Sequence, residues 1–174
     1  MIRGFLIAAG LATASFAALA QDSGAISALR GHNSEAPVDV VAERLEVQDR
    51  ADRAVFAGNV RVKQAELTLD TERLTVAYSS GGGIQIRRLD ASGGVVVRSP
   101  SETARGNFGI YDLDKKLITL IGDVQLLRGG SQITGSRLVI DLDSGRAVVD
   151  GGPAGVGQSG GRVTGRFTVP KRGS

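Results

Sequence analysis

The sequence predicts an all-β protein assembled from short strand units repeated about every 29 residues. Three observations carry that prediction. The stretch 53–62, RAVFAGNVRV, returns at 117–126 as LITLIGDVQL, with Gly122-Asp123-Val124 over Gly58-Asn59-Val60. A second phrase keeps its own spacing. Ala42-Glu43-Arg44-Leu45-Glu46-Val47 lies over segments starting at 71, 106, 135 and 164, in steps of 29, 35, 29 and 29. The hinge glycines 58, 93, 122 and 151 step by 35, 29 and 29, so one six-residue insertion explains both odd steps. Third, apolar residues alternate with polar ones (Leu45/Val47, Val60/Val62, Leu67/Leu69, Ile84/Ile86, Val95/Val97), which is the period of a strand and not of a helix.

The elements follow in order. Residues 1–20 read as a cleaved signal peptide: Arg3 gives a positive start, Phe5 to Ala18 an apolar run, and Ala18-Leu19-Ala20 a small-x-small end. Residues 21–36 are polar and small with no period, so they read as a flexible leader in which His32 has no role. Alternation starts after Pro37 and runs to 150, the expected β domain. Asp49 to Asp52, Asp112 to Lys115 and Asp143 to Gly145 carry turn chemistry at corresponding points. Ser79 to Gly83 is a loop by composition and the place for the insertion. The Gly-rich segment 151–174 holds one further strand candidate at 164–169, ended by Pro170.

Composition narrows the function. With 41% apolar residues the chain can bury a core, but aromatics are only 4%, so that core is aliphatic. The net charge of +3 falls to +2 without the signal peptide, too little and too scattered to argue for a nucleic-acid partner. No cysteine and a single histidine exclude a disulfide framework and a multi-histidine zinc site within the chain. Gly157-Gln158-Ser159-Gly160-Gly161 has the letters of a nucleophile elbow, without the following helix or a neighbouring histidine base that the elbow requires. Asp141 to Gly145 opens like a calcium loop but has Gly152 where the twelfth-position glutamate belongs. No catalytic group, metal site or cofactor site emerges, and the expectation is a protein that is not an enzyme. Arg44, Arg73, Arg137 and Arg166 recur at one register position, either as a solvated outer row or as a ladder for phosphates or carboxylates.

Neither end of the repeat carries an obvious cap, so both ends are expected to stay open and to pair with further strands. The phrases Val38-Asp39-Val40, Glu43-Arg44-Leu45-Glu46-Val47, Phe56-x-Gly58-Asn59-Val60-x-Val62, Glu72-Arg73-Leu74-Thr75-Val76 and Leu120-x-Gly122-Asp123-Val124 resemble the OstA-like, or LptA, family over residues 37–150. The resemblance implies an antiparallel β-jellyroll opened into a V-shaped slot. It implies periplasmic carriage of lipopolysaccharide, with the lipid A acyl chains in the slot. It further implies head-to-tail stacking with itself, with an LptC-like inner-membrane protein and with the N-terminal domain of an LptD-like outer-membrane protein. On this reading the slot is lined by Val38, Val40, Leu45, Val47, Phe56, Val60, Val62, Leu74, Val76, Val95, Val97, Phe108, Val124, Leu126, Leu138 and Ile140. Two alternatives stay open: an LptC-like adaptor that keeps residues 1–20 as an anchor, and an exported structural β-repeat that binds no lipid.

Overall fold

The structure, a computed structural model, describes Leu29, residues 31–152 and residues 161–168. The expected signal peptide and residues 153–160 and 169–174 lie outside the described residues. Among the described residues ten strands form one antiparallel sheet: β1 (Val38–Val41), β2 (Arg44–Gln48), β3 (Arg53–Gln64), β4 (Leu67–Ser79), β5 (Gln85–Arg98), β6 (Glu102–Asp112), β7 (Leu117–Arg128), β8 (Ser131–Asp141), β9 (Ala147–Asp150) and β10 (Thr164–Arg166). Strands β3 to β8 pair with their sequence neighbours in a meander. At one margin β1 and β2 both pair with β3, and at the other β9 and β10 both pair with β8. Among the described residues the only helical turn is the short 3-10 turn Asp49–Ala51, at one of the expected Asp-rich turns. The expected insertion loop lies between β4 and β5 and is exposed. The last strand is Thr164–Arg166, shorter than the 164–169 span expected.

A row of irregularities crosses the sheet at mid-strand. The register shifts between Ala57 and Val60, Asp70 and Arg73, Ser92 and Val95, Arg105 and Phe108, and Ile121 and Val124. These are the repeated hinge positions of the sequence. Gly58 (φ 82°) and Asn59 (φ 44°) match Gly122 (φ 82°) and Asp123 (φ 45°), each pair a bulge in which two residues oppose one. Glycine is needed there for two reasons. The φ is positive, and a Cβ on Gly58 would fall 2.4 Å from Glu43 Oε2, or on Gly122 2.8 Å from Asn107 Nδ2. The short polar residue that follows tolerates a positive φ and bonds across: Asn59 Nδ2 donates to Glu43, and Asn107 Nδ2 donates to Asp123 Oδ2 at 3.1 Å.

Bulges bend strands, and a row of them lets a single sheet fold over its own apolar face. The fold is visible in contacts between the two halves of long strands. Ile140, beyond the bulge row, lines the same small space as Ala104 and Leu126 on the near side. Tyr111 Oη, also beyond it, donates to Gln64 Oε1 at 2.9 Å. The enclosed core is one cluster, with Leu74, Leu120 and Leu138 wholly buried. Alternation restarts at each bulge: on β6, Ala104 and Gly106 point in, Asn107 and Phe108 point out, and Gly109 and Tyr111 point in again.

Candidate functional site

Directly opposed residues on neighbouring strands share a face, so the register traces rows of side chains across the inner surface. Beyond the bulges one row runs from Leu45 through Phe56, Leu74 and Ala91 to Leu120 and Leu138. Beside it another runs from Val47 through Ala54, Val76 and Leu89 to Ile118 and Ile140. On the near side a third joins Val40, Val62, Leu69, Val97, Ala104 and Leu126. The first row passes Gly109 and the second Tyr111 on β6, and both go on to β9 through Val149 and Ala147, while the third continues to Ile133 on β8. Together they make an aliphatic trough that follows the stacking direction of the strands.

Most of the residues expected to line a slot fall on these rows. Val60, Val62, Leu74, Val76, Val95, Val97, Val124, Leu126, Leu138 and Ile140 are buried, and Val38, Val40 and Phe56 are half-buried against them. Leu45 and Val47 have the inner-face register but lie on the marginal strand β2, where they are 53% and 55% exposed. Phe108 is a correction. It points outward and is 55% exposed, because alternation on β6 breaks at Asn107, opposite the bulges at Gly93-Gly94 and Gly122-Asp123, and Gly109 takes the inward place. A side chain there has no room, since a Cβ on Gly109 would fall 3.0 Å from Val95 Cγ1 and 3.2 Å from Leu120 Cδ2. The repeat register carried that information, because Phe108 stands in the column of Arg73 and Arg137.

Leu89, Ile118, Leu120 and Tyr111 are inner-face residues that pattern reading passed over. Leu120 was reachable from the 64-residue repeat, in which it lies over Phe56. His32 is a second correction: its side chain is fully buried, not idle in a leader. No sequence signal pointed to it. With Gln64 and Tyr111 it makes a polar group at one lip of the trough. His32 Nε2 and Tyr111 Oη both lie within hydrogen-bonding distance of Gln64 Oε1, at 3.1 and 2.9 Å. Burial, reinforced by the nearby Glu35 carboxylate and opposed by the bond to Gln64, pushes the Tyr111 phenol up to about 12.

Among the described residues Glu102 is a buried carboxylate, 5% exposed, and the arginines, lysines and other carboxylates are half-buried or exposed. Arg61 Nε donates to Asp70 Oδ1 at 2.8 Å, and Arg98 bonds the other oxygen of the same carboxylate. Burial opposes ionisation of Asp70, but these two hydrogen bonds and their charges prevail and hold it below the usual range. The recurring arginines 44, 73, 137 and 166 are all exposed, and Arg44 reaches Glu46 at 3.9 Å. Near the β10 margin a cleft of about 330 Å³ is lined by Leu126, Ile133 and Phe167, with Arg128 at its rim. Among the described residues no cluster of histidine, aspartate or glutamate could hold a metal ion, and no helix is long and apolar enough to cross a membrane.

Known proteins are similar to this chain in sequence or in fold. An uncharacterized protein of Rhizobium meliloti (strain 1021) is 31% identical over 158 residues, covering 86% of this chain and 85% of the relative. The crystal structure of LptH from Pseudomonas aeruginosa superposes with a TM-score of 0.69 at 18% identity, covering 79% of this chain and 99% of that one. LptH is described as the LptA-homologous periplasmic component of the conserved lipopolysaccharide transport device. Residues 39–146 match the family described as LptA/(LptD N-terminal domain) LPS transport protein, and the chain belongs to that family.

Proposed function

We propose that this chain is exported to the periplasm, where it carries lipopolysaccharide by holding its acyl chains against the inner face of the folded sheet. One observation supports this most directly: the mostly aliphatic inner-face rows reach the β2 margin, where they end in exposed Leu45 and Val47. A closed storage core would be sealed there. A conduit is left for a neighbour to continue, and the open hydrogen-bonding edges of β1/β2 and β9/β10 supply the means. Copies stack head to tail, and the same edges meet an LptC-like protein at one membrane and the N-terminal domain of an LptD-like protein at the other. Each methylene kept out of water is worth about 0.8 kcal/mol, so a continuous apolar track removes most of the barrier to moving several long chains through an aqueous space. The protein does no chemistry in this role.

Adjacent residues of β1 test the proposal. Val40 points into the trough opposite Val62, and Val41 points away from it with 68% of its surface exposed. Titration of purified lipopolysaccharide is expected to show about tenfold weaker binding for Val40→Glu and no change for Val41→Glu, since a buried carboxylate opposes apolar contact. Equal losses, or none, would remove the case for an apolar conduit.

A further inference from the structure

The segment that precedes β1 closes one side of the trough. Leu29 is only 3% exposed and shares a small space with Val97, Ala104 and Leu126 on one half of the folded sheet and Ile140 on the other, with Ser99 and the buried Glu102 at its polar end. The space left beside it is about 10 Å³, room for no more than about one water molecule. From there the chain returns to β1 along the lip. The Gln64 amide fixes it, with Nε2 donating to Ser34 O at 2.9 Å and to Ala36 O at 3.0 Å while Oε1 faces His32 and Tyr111. His32 Nδ1 lies 3.1 Å from Glu66 Oε1, at the turn between β3 and β4.

The way this segment is held differs from everything around it. The seat is made of strands in the middle of a continuous ladder. The segment itself lies outside the strand ladder, and the bonds from His32 N to Leu29 O, Ser34 N to His32 O and Ala36 N to Asn33 O are local to it. It can therefore open without breaking a strand pair, as weakly integrated segments do. Among Leu29 and residues 31–36, Leu29 is the one large aliphatic residue. Its buried side chain resembles a short length of acyl chain in size and polarity.

We infer that Leu29 and residues 31–36 form a displaceable strap, with Leu29 occupying an acyl-chain subsite that lipid takes over when the strap swings out. The inference rests on the lipid-carrying reading above. It adds that the empty carrier is self-sealed and that strap and lipid exclude one another. The strap also has a physical use, because it keeps apolar surface at the lip from water until a ligand covers it. Sealing lowers apparent affinity by the fraction of molecules that are open at any moment. Weakening the strap therefore tightens lipid binding.

Hydrogen exchange of the unaltered protein, with and without saturating purified lipopolysaccharide, reads the strap directly. The amides of His32, Ser34 and Ala36 are expected to exchange at least tenfold faster with lipid bound, while those of β4 and β7 do not. In parallel, Leu29→Ala and His32→Ala are expected to bind lipopolysaccharide severalfold to tenfold more tightly than the unaltered chain. Strap amides that stay protected while lipid is demonstrably bound, or variants that bind equally or more weakly, would overturn the strap and leave the carrier reading standing. If neither the unaltered chain nor the variants bind lipopolysaccharide, the carrier reading fails and the strap's role fails with it.

Discussion

Gln64 is where the folded halves of the sheet are joined by polar contacts. Its side chain is buried and meets Tyr111 from across the fold and His32, Ser34 and Ala36 from the preceding segment. Removing the phenol tests that join. A phenol raised to about 12 is kept neutral by the fold. Its contribution is thus fully present below the ordinary value near 10 and is lost as pH climbs from about 10 to 12. Denaturant unfolding is expected to show Tyr111→Phe about 1 kcal/mol less stable at pH 7, from the lost hydrogen bond. The same measurement should show the loss of stability between pH 10 and 12 reduced by on the order of 2 kcal/mol in the variant. An unchanged alkaline limb in Tyr111→Phe would mean the phenol is not held neutral by the fold. Gln64 holds the place after Val60 and Val62 but is polar, so apolar alternation does not mark it, while the valines around it do show.

At the scale of elements, the repeat made the bulge row legible before any geometry was known. Gly58-Asn59 and Gly122-Asp123 stood at equivalent places because each bulge needs a positive-φ glycine under a facing side chain, and that need recurs with the fold. What pattern reading missed was the phase. Alternation breaks on β6 between Asn107 and Phe108, opposite the bulges of β5 and β7, so Phe108 faces outward although it is apolar. On the marginal strand β2, Leu45 and Val47 share the register of the inner rows, and their exposure comes from the strand having no further partner among the described residues. Leu45 and Val47 are exposed enough that Leu45→Glu with Val47→Glu is expected to change monomer stability by less than about 1 kcal/mol. Size-exclusion and light scattering should then show loss of concentration-dependent self-association. Undiminished association in the double variant would mean that β2 is not the joining edge.

At the scale of the whole molecule, strand content, aliphatic core and open margins all followed from periodicity and composition. The folding of one sheet over itself did not follow from those, because it depends on which distant rows face each other. The resemblance to a known family supplied that expectation, and the contacts of Tyr111 with Gln64 and of Ile140 with the space around Leu126 bear it out. The central claim is that lipid acyl chains lie on the inner face and nowhere else. Photo-cross-linking to lipopolysaccharide from neighbouring positions that differ only in face tests it most directly. A photoreactive residue at Val40, Leu45 or Leu126 faces the trough, and one at Val41, Arg44 or Leu127 faces away. The account predicts lipid adducts from the first three and none from the second three; adducts from both faces alike, or from the outer positions alone, would contradict it.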